Sequence, residues 1–251
     1  MNKRNYSAWQ IDSREFNTSL TSNEKLLYFA RYAILAPSGH NSQPWLLTPA
    51  HESLLLTVNP DHHLSADGSG LLSVEPFISL GTFVETFVSA ARGFGYMVNV
   101  TLFPEKHVVA KLQLGEICEA EPSLLNAIVR RVSNRNPFET QPLHTDILQR
   151  LVSRCPSGVA AHTVTTQKDI AFINEQTSAA IRSIMGKQAY RNELSTWVRG
   201  NLTRRFDGMP GFTHGFGLAA SLMAKMAVKR GASPGAQVKK ANSLIKILEH
   251  F

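Results

Sequence analysis

Apolar residues at helical spacing open the interpretable part of the chain. Leu26, Leu27, Phe29, Ala30, Ala33 and Ile34 predict a first helix over residues 22–35. Ser22 reads as its N-cap; three residues on stands Lys25 rather than an acid, so no capping box is expected. The pattern then breaks at residues 36–45, APSGHNSQPW, where two prolines and a glycine stop any helix. Two short apolar runs, 44–48 and 53–58, predict strands, and residues 59–70 (NPDHHLSADGSG) form a loop. A broad apolar stripe over 76–92 predicts a second helix ended by Gly93 and Gly95. Period-two alternation over 96–103 and 107–114 predicts an antiparallel hairpin. Residues 123–131 and 142–154 read as amphipathic helices, 162–166 as a strand, and 169–200 as helical. Residues 201–217 hold five glycines and prolines between Gly208 and Gly217, a composition equally suited to a ligand-facing lid and to a linker. Helices over 218–230 and 238–248 close the chain.

Composition narrows the class. With 251 residues, 43% hydrophobic and 18% charged, the chain has enough apolar surface for one large domain or two small ones. No apolar run reaches membrane-spanning length and the first ten residues lack a signal-peptide core, so the chain reads as cytoplasmic and without a membrane segment. Cys118 and Cys155 form no CxxC pair and are expected as free thiols. The net charge of +7 is concentrated toward residues 182–246, but aromatics are not interleaved with those cations as a nucleic-acid stacking platform requires. Nucleic-acid binding is not expected.

Two stretches carry candidate chemistry. The 36–45 segment places Ser38, His40, Asn41, Ser42 and Gln43 in an irregular connection between a helix and a strand, where ligands commonly bind, although a plain Asn/Ser/Pro turn has the same composition. The segment RRVSNRNPF groups Arg130, Arg131, Ser133 and Arg135 at a helix end. Guanidinium forks and a hydroxyl suit a phosphate, and a solvated basic face is the competing reading. Asp61, His62 and His63 lack the spacing of a metal site and read as a solvated loop, so no metal is expected. Ser38 lies outside a GxSxG elbow and no GxGxxG follows a strand, which argues against a hydrolase and against Rossmann-type nicotinamide binding.

APSGHNSQPW and RRVSNRNPF together resemble the nitroreductase family of FMN-binding flavoproteins, and within it the fused, Acg-like branch. The resemblance covers residues 22–155 and is weak thereafter. It implies an α+β, nitroreductase-like fold with an antiparallel or mixed central sheet flanked by helices. In the ordinary family the arginine–serine segment precedes the PSxxN loop, and FMN lies in a homodimer interface between them. Here the loop comes first, which implies a fused pseudo-dimer: a first half over 1–120 carrying the ring-side loop, and a second over 121–251 carrying the phosphate-side segment. That second half looks C-terminally shortened, and no counterpart of the family's acidic–glycine segment is found. By motif position Pro37, Ser38 and Asn41 would line the flavin ring, with Gln43 and Trp45 bracing the loop. Arg131, Ser133 and Arg135 would hold the phosphate and ribityl end. The implied activity is hydride transfer from NAD(P)H through FMN to a nitro-aromatic, quinone or similar small-molecule acceptor, by a monomeric pseudo-dimer or a homodimer. No side chain need act as catalytic acid or base. An FMN-storing protein without turnover is the alternative.

Overall fold

The computed structural model describes residues 3–62, 65, 73–134, 141 and 143–231. After two short 3-10 segments comes helix α1 (Ser22–Ala33), whose N-cap is Thr21, not Ser22. The Thr21 hydroxyl accepts from the Glu24 backbone N–H, and the Glu24 carboxylate accepts from the Thr21 N–H at 2.8 Å. A capping box therefore does form: moving the cap by one residue puts Glu24, rather than Lys25, at the third helical position.

Strands β1 (Trp45–Ala50) and β2 (Ser53–Val58), helix α2 (Glu75–Gly93), and strands β3 (Tyr96–Glu105) and β4 (Val108–Ile117) follow. The four strands form one antiparallel sheet in the order β1-β2-β4-β3. Period-two alternation turns Leu54, Leu56, Ala110 and Leu112 to the same buried face, where Leu54 pairs with Leu112 and Leu56 with Ala110. Leu26, Phe29 and Ala33 of α1 and Leu80, Phe83, Phe87 and Ala91 of α2 are fully buried in the same cluster. At one end of this core, Phe16, Phe29 and Phe94 lie ring against ring, with Phe16 and Phe94 centroids 4.4 Å apart. Helix α3 (Pro122–Arg130) packs tightly on α2: a Cβ at Gly93 would come within 2.5 Å of the Leu125 side chain.

Helices α4 (Thr145–Ser153), α5 (Gln167–Gly186) and α6 (Gln188–Trp197) come next. Two expectations are corrected here. Residues 162–166 form no strand. The helical stretch expected over 169–200 is two helices, separated at Lys187, whose backbone is extended (φ −78°, ψ 121°) directly after Gly186. Strands β5 (Val198–Arg199) and β6 (Met209–Pro210) form a two-residue parallel pair, and a 3-10 turn over Gly211–His214 leads to α7 (Leu218–Arg230). The helix expected over 238–248 lies outside the described residues. The result is a mixed α+β chain with an antiparallel four-stranded sheet. It divides into one unit of Met1–Asn134 with Ala189–Lys229, which holds the sheet and its helices, and a second of Arg135–Gln188 with Arg230–Phe251. Among the described residues no helix is long and apolar enough to cross a membrane.

Candidate functional site

The 36–45 loop leaves the C-terminus of α1 and enters β1 through an unusual backbone. His40, Asn41 and Gln43 all have positive φ (50°, 54° and 55°). Non-glycine residues pay about 1 kcal/mol or more for each such conformation, and asparagine least, so the surrounding structure must hold them there. Much of the holding comes from α2 and from the loop itself. The Gly39 N–H donates to Ser79 Oγ at 3.2 Å, Thr82 Oγ1 donates to the Pro37 carbonyl at 2.7 Å, and the Gln43 N–H donates to Ser38 Oγ at 3.0 Å. Ser42 and Pro44 are buried, and Trp45 packs on Phe83 with ring centroids 5.2 Å apart. His62 belongs to this scaffold. It is half-buried rather than solvated, its Nδ1 lies 2.7 Å from the Ser42 carbonyl, to which it donates, and its ring meets Trp197 edge to face. His63 lies outside the described residues, and among those described no group of three His, Cys, Asp or Glu side chains converges to hold a metal.

The remaining support comes from residues 199–208, most of which fall in the stretch whose composition suits a lid and a linker equally. Asn41 Nδ2 donates to the carbonyls of both Phe206 (3.1 Å) and Gly208 (3.0 Å), and Gln43 Nε2 donates to Phe206 at 2.8 Å. In return the Gly208 N–H donates to the Asn41 carbonyl at 2.9 Å. Gly208 has φ +79°, and a Cβ there would sit 2.6 Å from the Trp197 carbonyl oxygen, so this close approach needs glycine. Between the two contacting residues the Asp207 carboxylate is clamped by two arginines. Arg199 donates from Nε and Nη2 at 3.3 and 3.1 Å, and Arg205 from Nε and Nη2 at 2.8 and 2.7 Å. The Arg199 and Asp207 side chains are only 10% and 9% exposed. Burial alone would raise the Asp207 pKa, but the hydrogen bonds from Arg205 and Arg199 outweigh it and hold the carboxyl below its ordinary range. One signal for this clamp is present in the sequence: Asp207 is the lone acid in residues 199–217, among Arg199, Arg204 and Arg205. Of this segment Phe206 and Gly208 meet the loop, through their main-chain atoms, whereas the Asp207 side chain is turned to the two arginines.

Arg131 connects the second motif to the first. It caps α3, and its Nη2 donates to the Leu35 carbonyl at 3.2 Å, immediately before the loop, across 96 positions of sequence. That carbonyl is at the negative end of α1, which favours a cation. Ser133 Oγ lies 3.5 Å from Nη1, at the outer limit of a hydrogen bond. The Arg131 Nε is buried with no partner, no carboxylate pairs with the guanidinium among the described residues, and burial lowers its pKa. A half-buried arginine with no carboxylate partner among the described residues can seat an anion. Pro37 and Ser133 are exposed and Ser38 is half-exposed; Arg135 lies outside the described residues. Thus Pro37, Ser38, Asn41, Gln43, Arg131 and Ser133 belong to the same unit, and Arg131 meets the end of the helix from which the loop departs.

No protein-family model matches the chain. It is similar, at 27% identity over 188 residues, to two Mycobacterium tuberculosis proteins, "Putative NAD(P)H nitroreductase Rv3131" of strain H37Rv and "Putative NAD(P)H nitroreductase MT3217" of strain CDC 1551. The match covers 72% of this chain and 53% of each relative, so the chain spans about half the length of the curated relatives it matches.

Proposed function

We propose that this chain binds FMN and serves a nitroreductase-type oxidoreductase that takes electrons from NAD(P)H and delivers them to a nitro-aromatic, quinone or similar small molecule. The observation that carries the reading is Arg131, a desolvated cation with an unpartnered Nε beside the loop that the sequence motif marks. A phosphate monoester brings the negative charge and acceptors that Arg131 finds in no carboxylate among the described residues, so the residues fit the phosphate end of FMN. Ser133 and Arg135 extend that end by motif position. Pro37 and Ser38 give the loop its ring-facing surface, while the amide donors of Asn41 and Gln43 are engaged with residues 206 and 208 and keep the loop in shape. FMN, when bound, supplies the hydride-transfer chemistry. The chain's own part is to anchor the phosphate, fix the ring against one rigid loop and leave an approach for donor and acceptor in turn. The similarity to proteins named as NAD(P)H nitroreductases supports the choice of donor and reaction class.

Titration of the purified chain with FMN, followed by flavin fluorescence and visible absorbance, tests the binding. Arg131→Ala should weaken FMN by about 1.5–3 kcal/mol, the range for a charged hydrogen bond left unmade. A chain that ignores FMN overturns the reading, and unchanged affinity removes Arg131 from the site. Anaerobic mixing of the FMN-loaded protein with NADPH then tests turnover: bleaching of the flavin supports the oxidoreductase, and a flavin that stays oxidised indicates sequestration.

A further inference from the structure

We propose that Asp207 is a positioning residue for the 38–43 loop, acting through the backbone of residues 206–208 to keep the loop in the conformation on which flavin binding depends. The inference rests on the flavin reading of that loop, but its physical basis is separate. Three residues of the loop hold positive φ, and no hydrogen bond within the loop engages the side-chain amide of Asn41 other than a 3.4 Å contact from Gln43 to its oxygen. Both hydrogens of the Asn41 amide, and one from Gln43, are spent on two carbonyls that flank Asp207 in the chain. Those carbonyls can be aimed at the loop only if residue 207 is fixed, and residue 207 is fixed by four charge-assisted hydrogen bonds to Arg199 and Arg205. Arg199 is itself immobilised: its Nη1 donates to the Thr196 carbonyl and its guanidinium lies over the Trp197 ring. The chain of dependence therefore runs from the α6 C-terminus through Arg199 to Asp207, from Asp207 to the 206 and 208 carbonyls, and from these to Asn41 and Gln43. Asp207 touches the loop nowhere itself, so its effect is on geometry rather than on direct ligand contact.

The test is residue-resolved amide hydrogen exchange on the full chain, paired with the visible circular dichroism of bound FMN. In Asp207→Asn the Gly208 and Gln43 amides, which donate to Asn41 O and Ser38 Oγ, should exchange about tenfold faster or more, while amides of α1 and α2 keep their wild-type rates. The flavin circular dichroism should change, because the ring's surroundings move, and Asp207→Glu should restore both signals in part. Arg131→Ala serves as the contrast, weakening FMN without altering exchange at Gly208. Should Asp207→Asn fail to fold, Arg205→Gln removes an exposed partner (63% exposed) and should give the same changes at smaller amplitude. Exchange at Gly208 and Gln43 that is unaltered in these variants overturns the proposal. If the wild-type chain binds no FMN, the flavin reading falls, and the exchange data alone then decide whether Asp207 positions the loop.

Discussion

At the scale of single residues, the electrostatics of Asp207 make a pH prediction with a definite sign. Its folded pKa lies below its unfolded value, which is near 4 for an aspartate. The ionised clamp therefore adds stability that is fully present above that unfolded value and is lost as pH falls through the folded one, while Arg199 and Arg205 stay charged throughout. Urea denaturation of wild type and Asp207→Asn should show a clear gap at pH 7 that narrows steadily below about pH 4. A gap that is the same at pH 7 and pH 3 would mean that the carboxylate's charge contributes nothing. The candidate site was only half legible at this scale. The identities of Ser38, Asn41, Gln43 and Arg131 stand out in the sequence because prolines, amides and arginines concentrate there. Positive φ at His40 and Gln43 does not, because only glycine and asparagine favour a left-handed backbone, and of the three positions only Asn41 carries one of them. Nor does a pattern of polar residues reveal that Asn41 will bond across 165 and 167 positions to two main-chain carbonyls. Backbone acceptors are alike at every residue.

At the scale of elements, local rules decided most of the fold and tertiary context moved the boundaries. The apolar run in residues 53–58 and the alternation in 107–114 located β2 and β4, and because one face of each is buried a one-residue slip would expose Leu54, Leu56, Ala110 and Leu112 together. The stripe in α2 was equally plain, since burying Leu80, Phe83 and Phe87 demands 3.6-residue spacing. Helix starts and breaks were harder. Thr21 and Ser22 are both good caps, and what selects Thr21 is the reciprocal bond to Glu24. Thr21→Ala should accordingly cost about 1 kcal/mol of stability in urea denaturation, whereas Ser22→Ala should cost less than about 0.5 kcal/mol. Equal losses, or the reverse order, would contradict the cap assignment. Similarly, Gly186 alone gave little warning that α5 and α6 are separate helices, because an isolated glycine is tolerated within a helix. Residues 162–166 alternate like a strand yet pair with nothing among the described residues, and an unpaired strand is not stable by itself.

At the scale of the whole molecule, burial is shared unequally between the two units. The first unit contains the sheet, the cluster of fully buried Leu, Phe and Ala residues, and Pro37, Ser38, Asn41, Gln43, Arg131, Ser133 and Asp207. In the second unit, α4 buries none of its residues and α5 buries Ile170, Asn174 and Ser178, while Leu151, Phe172 and Ile173 are 58%, 61% and 44% exposed. Local stability follows buried apolar contact, so the opening free energy should differ between the units. Native-state hydrogen exchange should find α2 and β4 amides protected close to the global limit, and α4 amides exchanging at least about a hundredfold faster. FMN sharpens the same experiment. A ligand held by first-unit residues stabilises the states that keep them folded, by about 2.7 kcal/mol at a hundred times its dissociation constant. Saturating FMN should therefore slow exchange in α1, α2 and the 38–43 loop and leave α4 unchanged. Uniform slowing across both units would show that the second unit opens together with the site, and slowing confined to α4 and α5 would place the ligand away from Arg131 and the loop.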